Sequence, residues 1–121
     1  MQKANQQFYS HTAIRTEYIK TLLKTGNAAT AKSLLENYSE TLKQRPAYFE
    51  LLAEAHAQLG QKAEMHRFIA EYYYAIGQTE AAIMQINLAK KSKDNNFYLQ
   101  AILNDRLRFF QDEEKERKRN Q

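Results

Sequence analysis

Residues 46–91 read PAYFELLAEAHAQLGQKAEMHRFIAEYYYAIGQTEAAIMQINLAKK, and this stretch decides the fold. A proline opens the first helical pattern, which ends at the pair Gly60-Gln61. The second helical pattern ends at the same pair of residue types, Gly77-Gln78. Proline fits the first turn of a helix, and glycine fits the position after the last turn, which often needs the left-handed conformation. The stretch therefore predicts consecutive helices joined by tight turns.

The spacing of the glycines predicts a structural repeat. Gly26 and Gly60 are 34 residues apart (60 − 26 = 34), and Gly77 follows Gly60 after 17, half that step. A period of about 34 residues built from two helices is typical of tetratricopeptide (TPR) repeats. Because strands need frequent turn residues, one proline and three glycines disfavour a sheet. We therefore predict an all-α fold, a TPR-like right-handed α-solenoid of about six antiparallel helices in three pairs.

The apolar pattern sets the expected helix boundaries. Helices are predicted at residues 3–25, 28–43, 46–59, 61–76 and 79–92, and a sixth helix is predicted to start near residue 96. We place the helical array at residues 1–111. Residues 112–121 contain no apolar side chain and are predicted to be a charged tail, either a frayed helix or disordered. The predicted packing positions of the first, third and fifth helices are Tyr18, Ile19, Leu22, Phe49, Leu52, His56, Ile83, Ile86 and Lys90.

Composition and charge narrow the class of protein. The chain has 121 residues, 43% of them hydrophobic, which suits one domain with a modest core. The formal net charge of +4 is spread thinly along the sequence, so we predict no nucleic-acid binding. No apolar run approaches the roughly 20 residues of a membrane span, and the first residues show no signal-peptide layout. There is no cysteine, which excludes disulfides and thiolate chemistry.

The sequence contains no recognisable catalytic or metal-binding motif. The histidines are His11, His56 and His66, and no two of them have the i, i+4 spacing of a helical zinc site. An HExxH motif, a nucleophile elbow and a glycine-rich phosphate loop are also missing from the sequence. His56 is most simply a histidine at the edge of the core. We predict that this chain has no catalytic, cofactor or metal site and is not an enzyme.

A TPR array predicts a binding groove, because the first helix of each pair lines its concave face. The groove candidates are Thr16, Lys20, Lys24, Glu50, Glu54, Gln58, Met84, Leu88 and Lys91. This surface would have a basic end, an acidic middle and an apolar patch. Met84 and Leu88 have two interpretations that both stay open: groove residues that contact a peptide, or core residues if the helix register differs.

Three consecutive tyrosines, Tyr72 to Tyr74, form the densest aromatic cluster. Consecutive helix residues point about 100° apart, so one neighbouring helix cannot bury all three. The structural interpretation, which we favour, has Tyr72 and Tyr73 between helices and Tyr74 partly exposed. The functional interpretation makes Tyr74 an aromatic binding anchor on the surface.

Residues 46–110 resemble the C-terminal TPR region of BepA-like bacterial zinc metalloproteases. The similar runs are PAYFELLAEAHAQLG, HRFIAEYYYAIGQTEAAIMQINLAKK and NNFYLQAILNDRLR. The resemblance implies a periplasmic location. It also implies that such a region docks outer-membrane barrel proteins or their assembly machinery. Zinc would belong to the protease domain of that family, whose HExxH motif this chain lacks.

Two hypotheses follow for the function. The first is a non-catalytic interaction module that binds protein segments for a periplasmic zinc metalloprotease of outer-membrane assembly and quality control. The alternative is a self-associating helical scaffold with no link to a protease. In this hypothesis Phe109 or Phe110 stays exposed as an apolar patch, through which copies of the chain form a homo-oligomer. Light scattering distinguishes the two hypotheses.

Overall fold

The protein is all-helical, which confirms the predicted fold class at that level. The computed structural model describes the backbone of residues 2–120 and the side chains of residues 12–120. Within residues 2–120 there are six α-helices, one short 3₁₀ turn at Leu42–Gln44 and no strand. The helices are α1 (Gln2–Lys24), α2 (Ala28–Glu36), α3 (Pro46–Gln58), α4 (Lys62–Ala75), α5 (Thr79–Lys91) and α6 (Phe97–Arg119). None of the helices in this range is both long and apolar enough to cross a bilayer.

The same turn follows α1, α3 and α4. At Gly60 the backbone φ is +74°, the N–H of Gln61 donates to the carbonyl of His56 (2.9 Å), and the Gly60 N–H donates to Ala57 (3.1 Å). The corresponding pair of bonds closes the turns at Gly26 and Gly77, where φ is +81° and +84°. These bonds satisfy carbonyls that the last helical turn leaves unpaired, and the positive φ favours glycine. The next helix begins two residues after each glycine.

Within residues 12–120, two clusters of buried side chains form the core. One joins α1, α2 and α3 through residues that include Ile19, Leu35 and Leu52, and the other joins α4, α5 and α6 through residues that include Ile86 and Leu103. Phe68 of α4 packs against the first cluster, so α4 links the two. Each helix packs most extensively on its neighbours in the chain. Fully buried alanines allow close helix approach at several of these contacts: Ala31, Ala55, Ala70, Ala82 and Ala89.

The second helix is shorter than predicted, ending at Glu36 instead of residue 43. The chain leaves the helix at Asn37, and Tyr38 turns inward, where its ring lies 5.9 Å from that of Tyr48 and its hydroxyl hydrogen-bonds to Thr16 Oγ1 at 3.1 Å. Ser39 Oγ then accepts from the N–H of Leu42 (3.3 Å). Tyr38 therefore packs in the core although it lies outside α2, because burial of its ring against α3 stabilises the fold more than one further turn of α2 would.

The packing face of α1 also differs from the prediction. Tyr18 was a predicted packing residue, but its side chain is exposed, as is that of Ile14 one turn earlier. Ile19 and Leu23 are the buried pair. In the described part of the chain α1 packs mainly on α2 and to a smaller extent on α3, so its buried stripe is narrow. His11, one of the three histidines noted in the sequence, lies outside the described side chains.

The charged tail belongs to α6 as far as Arg119. The helix continues through residue 111 without a break, and Glu114 is buried while accepting a 2.6 Å hydrogen bond from Arg117. Further along, Lys118 reaches Glu80 of α5 (3.5 Å). Pairs of opposite charge one turn apart support a helix that has few apolar residues.

Candidate functional site

A groove with one acidic wall runs between α3 and α4. We call it the acidic groove; its volume is about 400 Å³. Glu50 and Glu54 lie one turn apart on the α3 side, both exposed. Within residues 12–120 no basic side chain forms an ion pair with either carboxylate. The rest of its lining is apolar or aromatic: Ala53, Ala57, Met65, Ile69, Tyr72 and Tyr73.

A second cleft, of about 540 Å³, surrounds His56 and Phe68. His56 is buried, its ring stacks on Phe68 at 5.3 Å, and its Nδ1 hydrogen-bonds to Gln61 Oε1 at 2.6 Å. Burial lowers the pKa of His56, although the Gln61 hydrogen bond opposes the shift. The guanidinium carbon of Arg67 lies 4.7 Å from the centre of the Phe68 ring. Arg67 also forms an ion pair with Glu64 at 3.1 Å. His56 is therefore neutral near pH 7 and held by packing.

A third cleft, of about 580 Å³, carries several positive charges and is called the lysine cleft below. Lys62 at the start of α4 lines it together with Lys91 and Lys93, and Leu88 contributes an apolar wall. His66 lies at the same cleft, and its Nδ1 hydrogen-bonds to Gln85 (2.8 Å). In the described part of the chain, no group of three or more histidine, cysteine, aspartate or glutamate side chains could hold a metal ion.

The structure distributes the nine predicted groove residues over different surfaces. Glu50 and Glu54 line the acidic groove, whereas Leu88 and Lys91 line the lysine cleft, and these two clefts share no lining residue. Met84 is exposed on α5. The α1 candidates Lys20 and Lys24 are exposed, and Lys20 pairs with Glu17 at 3.5 Å.

Two of the predicted groove residues form hydrogen bonds to distant parts of the chain. Thr16 Oγ1 hydrogen-bonds to the hydroxyl of Tyr38 at 3.1 Å. Gln58 donates its side-chain amide to the Leu23 carbonyl at 2.8 Å, joining the end of α3 to the end of α1. These contacts give Thr16 and Gln58 a structural role between helices.

Tyr74, the aromatic surface candidate, contacts α6. Its ring lies 5.1 Å from Phe110 and 5.3 Å from Phe109, and its hydroxyl donates to Glu113 (3.1 Å). Partial burial and this carboxylate raise the pKa of Tyr74. Tyr72 and Tyr73, in contrast, line the acidic groove. The prediction placed those two tyrosines between helices but did not include them in a groove. Their i+7 and i+8 spacing from Met65, on one face of α4, was the available signal.

Comparisons with protein-family models, with curated proteins and with solved structures give no match to this chain. The geometry defines an all-α protein, and the three clefts described above lie between helices within residues 12–120.

Proposed function

We propose that this chain is a non-catalytic protein-interaction module with the arrangement of a TPR-like right-handed α-solenoid. The three helix pairs would be α1–α2, α3–α4 and α5–α6. Recurrence of one glycine-closed turn at Gly26, Gly60 and Gly77 supports this proposal, as does the predominance of contacts between consecutive helices. Both features are expected of an array in which each unit buries its apolar face on the next.

The acidic groove is the observation that carries the proposed function. It combines apolar lining residues, including Ile69 and Met65, with two carboxylates, Glu50 and Glu54, that have no ion-pair partner within residues 12–120. A protein segment with apolar side chains next to lysine or arginine complements both properties. Apolar contact would supply affinity, while the carboxylates would select basic segments and set their orientation.

For the biological setting, we propose the docking part of a periplasmic zinc metalloprotease involved in outer-membrane protein assembly and quality control. The resemblance of residues 46–110 to BepA-like proteins supports this setting. The partners would be outer-membrane barrel proteins or their assembly machinery. Zinc would be bound by the protease domain, and this chain itself would need no cofactor.

A photocrosslinking experiment tests the groove. A photoreactive amino acid in place of Ile69, which lines the groove, is expected to capture an unfolded outer-membrane barrel protein. Adding Glu50→Lys and Glu54→Lys is expected to lower capture about tenfold, because two attractive charges become repulsive. The matched control is Glu17→Lys with Glu40→Lys, which makes the same change in net charge at two carboxylates that do not line the groove. Equal capture by both double variants would contradict the groove assignment.

Self-association is the second candidate, and the outer face of α1 favours it. Ile14 and Tyr18 are both exposed and lie one helical turn apart. Two copies that paired along α1 would bury these side chains. If this candidate is correct, light scattering will show a dimer that dissociates when Ile14 and Tyr18 are replaced by serine. A monomer over a wide concentration range would remove it.

A further inference from the structure

The start of α6 exposes two large aromatic side chains. Phe97 is 94% exposed and Tyr98 is 77% exposed, although both occupy the first turn of a helix. Leu99, the next residue, is buried, and its N–H donates to the Asn96 side chain at 2.8 Å. This cap and Leu99 anchor the helix start, so the two aromatic rings are held outward by a fixed backbone. Adjacent aromatic side chains that a folded chain leaves in solvent mark a candidate interaction site.

A cleft with several positive charges includes part of the connection that leads into this aromatic pair. The lysine cleft contains Lys62, Lys91 and Lys93, and none of these takes part in an ion pair within residues 12–120. The one carboxylate at the cleft belongs to Asp94, which is already engaged: it accepts from Ser92 Oγ (2.5 Å) and from the backbone N–H of Ala63 (3.0 Å). Three lysines and one aspartate leave an excess of two positive charges.

The Asp94 contact also brings the charged and aromatic groups to one end of the molecule. It ties the start of α4, where Lys62 lies, to the α5–α6 connection, where Lys93 lies. Phe97 begins the helix that follows this connection. Lys91 is the last residue of α5, directly before this connection. We call this set of five residues, Lys62, Lys91, Lys93, Phe97 and Tyr98, the aromatic–lysine end.

We propose that the aromatic–lysine end docks on the surface of an anionic phospholipid bilayer. Phe97 and Tyr98 would enter the interfacial layer of the bilayer, and the three lysines would face acidic headgroups. Aromatic rings with a polar or basic flank favour this layer, and lysine near an anionic surface contributes to binding in proportion to the number of charges. This inference is independent of the acidic groove.

The geometry favours a membrane over an acidic protein segment. Phe97 and Tyr98 are consecutive on a helix, so their side chains diverge by about 100° and do not fit one narrow groove of a folded partner. A fluid interface accepts both rings at once. An acidic peptide in the lysine cleft would neutralise the lysines but would leave the exposed rings uncovered.

Co-sedimentation of the full chain with vesicles tests the proposal. Binding is expected to vesicles that contain phosphatidylglycerol and not to vesicles of phosphatidylcholine alone. Lys91→Gln with Lys93→Gln is expected to lower the partition coefficient about 30-fold, at about fivefold per lysine. Phe97→Ser with Tyr98→Ser is expected to lower it about tenfold. Salt at about 1 M, which shortens the Debye length to about 3 Å, is expected to release the protein.

The matched controls place equal changes elsewhere on the surface. Lys20→Gln with Lys43→Gln removes two charges from lysines outside the lysine cleft, and Ile76→Ser with Met84→Ser removes two other exposed apolar side chains. Both are expected to bind vesicles as the unchanged protein does. Equal loss in the control and test variants would overturn the proposal, as would binding to an acidic peptide without binding to phosphatidylglycerol vesicles.

A fluorescence measurement gives a second readout that does not depend on loss of binding. The chain has no tryptophan, so Tyr98→Trp introduces a single reporter. Its emission is expected to shift to shorter wavelength when phosphatidylglycerol vesicles are added, because the indole leaves water. Met84→Trp, at another exposed position, is the control and is expected to show no shift. An unshifted reporter at position 98 would contradict insertion.

Discussion

Phe110→Ala is expected to lower the free energy of unfolding by about 3–5 kcal/mol, the range for removing a fully buried phenylalanine. Phe110 is 0% exposed and its ring is 5.1 Å from that of Tyr74 and 5.8 Å from that of Phe109. It belongs to the cluster that joins α4, α5 and α6. Truncation would leave a cavity between these helices, which close-packed neighbours fill only in part. Urea denaturation followed by circular dichroism measures the change.

The adjacent residue provides the matched control. Phe109 has the same side chain and precedes Phe110 directly on α6, but it is 37% exposed. Phe109→Ala is expected to cost about 1 kcal/mol, because less apolar area returns to water and the gap opens to solvent. Similar losses for the two variants would mean that α6 does not pack on α4 as described.

Removing Arg106 is expected to produce the second-largest loss, about 2–3 kcal/mol for Arg106→Leu. Two hydrogen bonds join its guanidinium on α6 to the Glu71 carboxylate on α4, at 2.7 and 2.8 Å. Glu71 is 13% exposed and Arg106 29% exposed. The guanidinium also lies 4.7 Å from the Phe109 ring centre and 4.9 Å from that of Phe110. Without Arg106, a largely buried carboxylate would lose its counter-charge.

A double-mutant cycle separates this interaction from ordinary loss of packing. Arg106→Leu combined with Glu71→Leu is expected to cost less than the sum of the single changes, because the double variant leaves no unpaired charge. Lys118 and Glu80 form the control pair, which links α6 to α5 at 3.5 Å with both side chains largely exposed. Its removal is expected to change stability by about 0.5 kcal/mol or less. Additive effects at Arg106 and Glu71 would contradict the coupling.

Most helix boundaries could be predicted from the sequence because the signals that set them are local. Pro46 begins α3, and glycines at positive φ follow α1, α3 and α4. Each effect acts within one turn of backbone, so it is visible in a single stretch of sequence. The glycine spacing likewise predicted recurring turns, and the structure shows that these turns share one hydrogen-bond pattern. By itself, then, the sequence determined the all-α class and nearly every helix end.

Tertiary contacts decided which helix faces pack and where the clefts lie. The end of α2 depends on Tyr38 reaching Tyr48 across the turn. Glu50 and Leu88 line separate clefts because α3 and α5 each meet a different part of α4. Asp94 caps the start of a helix 31 positions earlier in the chain. Helical periodicity places a residue on one face of its helix. Whether another helix covers that face, or leaves it exposed as at Phe97, depends on residues distant in sequence and is decided only when the helices pack.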